Sequence, residues 1–240
     1  MTPPLISAVL MTYNRPLFVR QAIKLFLAQT WPRKELLILD DGPEGQVPSN
    51  LPSEIRHIRC PRMWMTYKRA IGYAQAQGDF VAGFDDDDYY GPRRLEVQAK
   101  ALASGLDACG FHMEYIARLP GPVFYRWKNI WPGNFHDNTI LIRRPLLMRL
   151  PRKTPDECYW PSPREVREAG GTVAQLKNDG HFLYVVHGHN AWGRSLDLAK
   201  DAVPTPPPAF VPEEMKRFWE DPALDLEGRG GTWANASGKT

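Results

Sequence analysis

Asp85-Asp86-Asp87-Asp88 places four carboxylates on consecutive residues, directly after the apolar run Phe80-Val81-Ala82-Gly83-Phe84. Neighbouring like charges repel by about 0.5–1 kcal/mol in water and by more in a partly dry cleft, so the run calls for positive charge nearby. Oxygen ligands at a strand end suit Mg²⁺ or Mn²⁺, which keep waters and complete their shell from substrate phosphates. A solvated acidic loop is the plainer reading of such a tetrad taken alone. Its position argues the other way. Polar loops also follow two earlier apolar runs: Thr12-Tyr13-Asn14-Arg15-Pro16 after residues 6–11, and Asp40-Asp41-Gly42 after residues 35–39.

The elements that must carry these loops alternate. Residues 6–11 read as a buried strand and 17–29 as a helix, with Leu17, Phe18, Ala22, Ile23, Leu25, Phe26 and Leu27 at helical spacing before Trp31-Pro32. Residues 35–39 are apolar almost throughout, as a strand covered on both faces should be. Residues 55–58 are a third strand. Residues 66–77 form a helix whose small residues Ala70, Gly72, Ala74 and Ala76 allow close packing and which Gly78 caps. A strand at 79–84 and a helix at 92–104 follow. Strands alternating with helices imply a mostly parallel α/β sheet, whose ligands sit beyond the carboxyl ends of the strands, where all three loops lie.

The second half is less regular. Residues 108–118 read as one strand, 164–169 as a helix and 182–187 as a late strand. A proline-rich stretch at 204–212 leads to a short helix near 213–220. Residues 1–200 are expected to form one catalytic domain, with a donor half at 1–104 and an acceptor half at 105–200. Residues 201–240 are expected to be a partly disordered extension, its small polar end at 228–240 in particular.

With 240 residues, 43% of them hydrophobic, the chain can bury one substantial core. A net charge of +3 does not by itself call for a nucleic-acid partner. No apolar stretch approaches the roughly 20 residues of a spanning helix. The start of the sequence lacks the pattern of a secretion signal, so a cytoplasmic location is expected. Cys60, Cys109 and Cys158 are too few and too scattered for a disulfide framework and read as reduced thiols.

The motifs carry a resemblance. Ile6-Ser7-Ala8-Val9-Leu10-Met11-Thr12-Tyr13-Asn14-Arg15-Pro16, Ala28-Gln29-Thr30-Trp31-Pro32 and Glu35-Leu36-Leu37-Ile38-Leu39-Asp40-Asp41-Gly42 resemble the opening of family 2 glycosyltransferases. Lys68-Arg69-Ala70-Ile71-Gly72-Tyr73-Ala74-Gln75-Ala76-Gln77-Gly78-Asp79-Phe80, with Phe84 and the aspartates, is similar to that family's middle segment. Together they cover about the first 100 residues in order. The resemblance implies a GT-A type, Rossmann-like three-layer sandwich and transfer of a sugar, with inversion, from a nucleotide-diphosphate donor such as a UDP-sugar, using Mn²⁺ or Mg²⁺. It implies a nucleotide pocket around Thr12, Tyr13 and Asn14 with the base near Tyr13, Asp41 on the base edge, and Arg69 on the base or the phosphates. It assigns Asp86 to the ribose and Asp87 or Asp88 to the metal.

Inversion needs a carboxylate to take the acceptor's proton. The family's Glu-Asp pair has its nearest equivalent in Asp156-Glu157, in reversed order. Glu157 is the first choice of base, Asp156 the second and Asp137 the third. In His187-Gly188-His189-Asn190, which loosely resembles a His-Gly-x-Asn run of the family, His187 rather than His189 is favoured for the metal or the diphosphate. Trp127, Trp131, Trp160 and Trp192, with Arg126 and Lys128, suggest an acceptor lid. The acceptor itself stays open: a glycan, a lipid-linked sugar, a protein or a modified nucleobase. A nucleotidyltransferase also places aspartates and Mg²⁺ on an α/β sheet, but no glycine-rich phosphate loop is present. A non-catalytic nucleotide- or sugar-binding module would lack the aspartates or the base.

Overall fold

A computed structural model of the protein describes residues 2–127, 133–151, 160–187, 190 and 202–226. The first half alternates as its apolar pattern requires: β1 (Ile6–Thr12), α1 (Pro16–Leu27), β2 (Lys34–Asp40), β3 (Ile55–Arg59), α2 (Met65–Gln75), β4 (Phe80–Gly83), β5 (Tyr89–Tyr90) and α3 (Arg94–Ala103). The second half contains β6 (Ala108–Phe111), β7 (Tyr115–Arg118), β8 (Val123–Trp127), β9 (Leu141–Arg143), α4 (Arg144–Leu147), α5 (Pro163–Glu168), β10 (Val173–Leu176), β11 (Phe182–Val186), β12 (Ala202–Pro204) and α6 (Glu213–Trp219).

The central sheet has seven strands in the order β10-β6-β9-β4-β1-β2-β3. All its pairings are parallel except those of β9, which runs antiparallel to both neighbours. Alternate residues of β1 face opposite sides. Ile6, Ala8 and Leu10 join Val19, Ala22 and Phe26 of α1 and Leu95, Ala99 and Leu102 of α3 in one core. Val9 and Met11 join Leu146 and Leu147 of α4 and Val166 of α5 in another, with Met65, Ile71 and Tyr73 of α2 packed against it. The result is a three-layer α/β sandwich. Gly72 is what brings α2 close to the sheet, since a Cβ there would lie 2.5 Å from a Val9 methyl.

Two expected boundaries shift. The second helix ends at Gln75, with Ala76 already extended, so Gly78 does not cap it. Gly78 instead sits where a Cβ would come within 2.7 Å of the Leu5 and Phe80 carbonyls. The expected strand over 108–118 is two strands in different sheets. β6 pairs with β9 and β10, whereas β7 pairs with β8 and β11 in a five-stranded sheet of order β12-β8-β7-β11-β5. The break falls at polar His112 and Glu114, whose side chains meet at 3.2 Å as the chain crosses between sheets.

The proline-rich segment contributes β12, antiparallel to β8. α6 follows, and its Met215 and Trp219 pack with Phe18, Phe124, Leu183 and Val185 in a third core. Among the described residues, no helix is long and apolar enough to cross a membrane.

Candidate active site

Parallel register sets β1, β2 and β4 level, pairing Thr12 with Asp40 and Val9 with Gly83. The loops after them therefore emerge at one edge of the sheet, and β11 adds His187 and Asn190 there. Asn14 holds a left-handed backbone (φ 50°), a conformation asparagine tolerates better than most residues. The turn brings Arg15 back over the acidic run. Arg15 Nη1 donates to Asp86 Oδ1 at 2.8 Å and to Asp87 Oδ2 at 2.9 Å. The Arg15 backbone N–H is held by Gln46 Oε1 at 2.9 Å.

Asp87 Oδ2 also lies 3.0 Å from His187 Nε2 and 3.3 Å from Asn190 Nδ2. Burial by itself would raise the Asp87 pKa. The Arg15 charge and the His187 hydrogen bond outweigh burial and bring it down to about 2. His187 is braced from behind. Its ring stacks on Phe18 at 5.0 Å, and Phe18 in turn meets Phe218 of α6 edge-on at 5.9 Å.

The other two aspartates face different surroundings. Asp88 is buried, with Oδ1 accepting from the Val185 N–H at 2.9 Å and Oδ2 accepting from Asn138 Nδ2. It ties β11 and the 137–139 turn to the loop. Asp88→Ala would orphan both donors, so we expect a stability loss of about 2–4 kcal/mol. Urea unfolding measures this, and a loss below about 1 kcal/mol would show that the tie carries little.

Asp85 Oδ1 accepts from Trp160 Nε1 at 3.0 Å, and the Asp85 N–H donates to the Tyr90 hydroxyl at 2.9 Å. Burial, then the charge of Asp87, pushes the Asp85 carboxyl up to about 7. A raised carboxyl favours the folded state below its ordinary range and loses that advantage as pH rises through the folded value. The metal-free protein should therefore lose stability between pH 4 and 8 through this group, and Asp85→Asn should flatten that fall in urea midpoints taken across the range. An unchanged slope in the variant would contradict the assignment.

Asp41 is fully engaged. Its Oδ1 accepts from the buried Lys68 Nζ at 2.6 Å, and its Oδ2 from Arg62 Nη1 at 3.0 Å and the Met63 N–H at 3.2 Å. Lys68 Nζ also donates to the Thr12 carbonyl at 2.9 Å, pinning the end of β1. Arg62 lies over the Tyr13 ring, 3.6 Å from its centroid, so the aromatic face expected to take a base carries a guanidinium. Arg69 is buried with its guanidinium 4.5 Å from the Trp160 ring, and among the described residues its Nε and Nη1 find no hydrogen-bond partner. A buried guanidinium in that state is a ready partner for an anion.

Thr12, Tyr13, Asn14, Asp86, Asp87 and His187 thus gather at one edge, with Asp41 beside them. Glu157 and Asp156 lie outside the described residues, as do His189, Lys128, Trp131 and Trp192. Asp137 is partly exposed beside Asp85, and its charge adds to the rise in the Asp85 pKa. Two of the tryptophans offered as a lid are core residues. Trp127 packs inside the second sheet, and Trp160 lies beneath Arg69 and Asp85. An aromatic count does not say which rings face outward. Arg15, Lys68 and Arg62 were given no role by sequence. Excess cations near an acidic run were the available signal.

The profile of Glycosyl transferase family 2 matches residues 7–195. An uncharacterized glycosyltransferase of Haemophilus influenzae is 30% identical over 105 residues, 41% of this chain and 42% of that protein. The uncharacterized glycosyltransferase EpsJ of Bacillus subtilis is 26% identical over 120 residues, 46% of this chain and 35% of that one. The matched region spans less than half the length of these relatives. Among solved structures, mannosyltransferase PcManGT from Pyrobaculum calidifontis, in complex with GDP-Man and Mn²⁺, aligns with a TM-score of 0.58 at 15% identity, covering 80% of this chain and 59% of its own. S. aureus TarS 1–349 in complex with UDP-GlcNAc aligns with a TM-score of 0.55 at 14% identity, covering 76% of this chain and 58% of its own. These likenesses show the GT-A fold, and with its family profile running from residue 7 to residue 195, the chain belongs to glycosyl transferase family 2.

Proposed function

We propose that the protein transfers a sugar, with inversion, from a nucleoside-diphosphate donor, in the first instance a UDP-sugar, to an acceptor hydroxyl, assisted by Mn²⁺ or Mg²⁺. The observation that carries this reading is the meeting of Asp87 with His187 at 3.0 Å, a hundred residues apart in sequence, beyond the carboxyl ends of the parallel strands. The names of two structural neighbours, one with GDP-Man and Mn²⁺ and one with UDP-GlcNAc, support the donor class.

The donor set fits a hard divalent ion. Among the described residues, no three His, Cys, Asp or Glu side chains are grouped to hold a metal ion, so an ion here would have to take most of its shell from water and phosphate. Asp87 and His187 would hold it, whereas both oxygens of Asp88 are spent on Val185 and Asn138. When bound, the ion supplies charge neutralisation for the departing nucleoside diphosphate without proton transfer. Arg69 would add a buried positive charge, and Asp86 would bind the ribose. Tyr13 offers its ring to the base once Arg62 moves aside, and Asp41 then meets the base edge. Glu157, with Asp156 and Asp137 as alternatives, is the proposed acceptor of the hydroxyl proton.

The reading is tested by incubating the protein with a panel of nucleotide sugars and measuring released nucleotide with Mn²⁺ and with EDTA. Release from at least one nucleoside-diphosphate sugar, abolished by EDTA, is expected. A larger thermal stabilisation by a nucleoside triphosphate than by UDP with Mn²⁺ would favour nucleotidyl transfer instead.

A further inference from the structure

Arg15 stands on the Asp87 oxygen that faces His187. Asp87 Oδ2 faces three groups at once, Arg15 Nη1 at 2.9 Å, His187 Nε2 at 3.0 Å and Asn190 Nδ2 at 3.3 Å, so a cation held between this oxygen and His187 would have to displace one of them. Arg15 is held there tightly, with its side chain only 11% exposed and a second contact to Asp86 Oδ1 at 2.8 Å. The charges favour Arg15 as the group that leaves. Asp86, Asp87 and Arg15 together carry a charge of about −1, so a lone divalent ion is attracted weakly and is repelled by a guanidinium on the same oxygen. With the ion bound the cluster would carry about +1, an excess that a donor's diphosphate offsets. The same loop, Thr12 to Asn14, is the one assigned to the donor.

We propose that Arg15 is a donor-binding residue that works by exchange: it neutralises Asp86 and Asp87 while the site is empty, and when metal and nucleotide bind it leaves Asp87 and pairs with the diphosphate. This rests on the reading of Asp87 as a metal ligand. Three properties follow. The empty site is kept from collapsing or from trapping free cations, metal and nucleotide bind with strong mutual dependence, and the donor's phosphates gain a planar, multiply donating partner next to Arg69.

The test measures Mn²⁺ binding by electron paramagnetic resonance and nucleotide binding by calorimetry, with UDP and, in parallel, GDP. Wild type, Arg15→Met, Arg15→Lys and Asp87→Asn are compared. The decisive quantity is the coupling factor, the ratio of nucleotide Kd without Mn²⁺ to that with it. Arg15→Met is expected to bind Mn²⁺ alone at least tenfold more tightly than wild type and to lose at least tenfold in coupling, while Arg15→Lys keeps most of the coupling. Removing a nearby positive charge would by itself tighten Mn²⁺, but it would not reduce the coupling. Unchanged coupling in Arg15→Met, with Mn²⁺ binding lost in Asp87→Asn, would overturn the exchange and leave the metal site standing. Binding in Asp87→Asn equal to wild type, or no nucleotide bound by any protein, would overturn the metal or donor reading and the exchange with it. Should Arg15→Met fail to fold, Arg15→Gln carries the same expectations.

Discussion

Asp87→Asn is expected to lower kcat/KM for sugar transfer by roughly 10³-fold, about 4 kcal/mol of transition-state stabilisation, without unfolding the protein. The substitution keeps the size of the side chain and removes the charge. In wild type, burial is outweighed by Arg15 and His187, which bring the carboxyl down to about 2, so it carries its charge throughout the neutral range. The amide is a poor ligand for a hard divalent ion. The departing diphosphate would then leave with its charge uncompensated, and stabilisation by UDP with Mn²⁺ should no longer respond to EDTA. The loss should fall mainly on kcat, because compensation matters most as the glycosidic bond breaks. Retention of more than a tenth of the activity would move the metal, or the need for one, away from Asp87.

Asp41→Ala should cost about 3–5 kcal/mol of stability, because it takes the paired carboxylate from a buried ammonium. Lys68 is fully buried, and the substitution removes the carboxylate oxygen 2.6 Å from its Nζ while the Thr12 carbonyl at 2.9 Å stays. For a chain of this size that corresponds to a drop in Tm of roughly 6–20 °C. The loss should be largely recovered in Asp41→Leu with Lys68→Met, where both charges leave together. Arg62 is partly exposed and can turn to water. Differential scanning calorimetry of the three proteins checks the pattern. A double variant no more stable than Asp41→Ala would show that Arg62 and the Met63 N–H, rather than Lys68, are what Asp41 satisfies.

The first hundred residues were legible because their signals are local. β1, β2 and β4 are apolar on both faces, and the polar residues that end them sit one after another in sequence. Parallel pairing then forces those ends to one edge, so the grouping of Thr12, Asp41 and the aspartates follows from alternation alone. The partition of the acidic run was not legible. Consecutive aspartates look alike until tertiary partners, Trp160 for Asp85, Arg15 for Asp86 and Asp87, and Asn138 for Asp88, give each a different task.

The role of Arg15 was hidden for the same reason. Its partners lie 71 and 72 residues away, and nothing in Thr12-Tyr13-Asn14-Arg15-Pro16 says where the guanidinium turns. The break between β6 and β7 was hidden because an apolar run carries no mark of which sheet it joins. The fate of residues 202–226 was hidden because a proline-rich composition does not reveal that Met215 and Trp219 find a core.

The central claim is that Asp87 and His187 hold a divalent ion against a donor's diphosphate. Anomalous diffraction at the manganese edge, from crystals grown with Mn²⁺ and UDP, tests it most directly. The account predicts a peak bonded to a carboxylate oxygen of Asp87, with His187 Nε2 and the diphosphate in its shell. Nucleotide bound at this edge with no peak there, and with Arg15 still seated on Asp87, would contradict it.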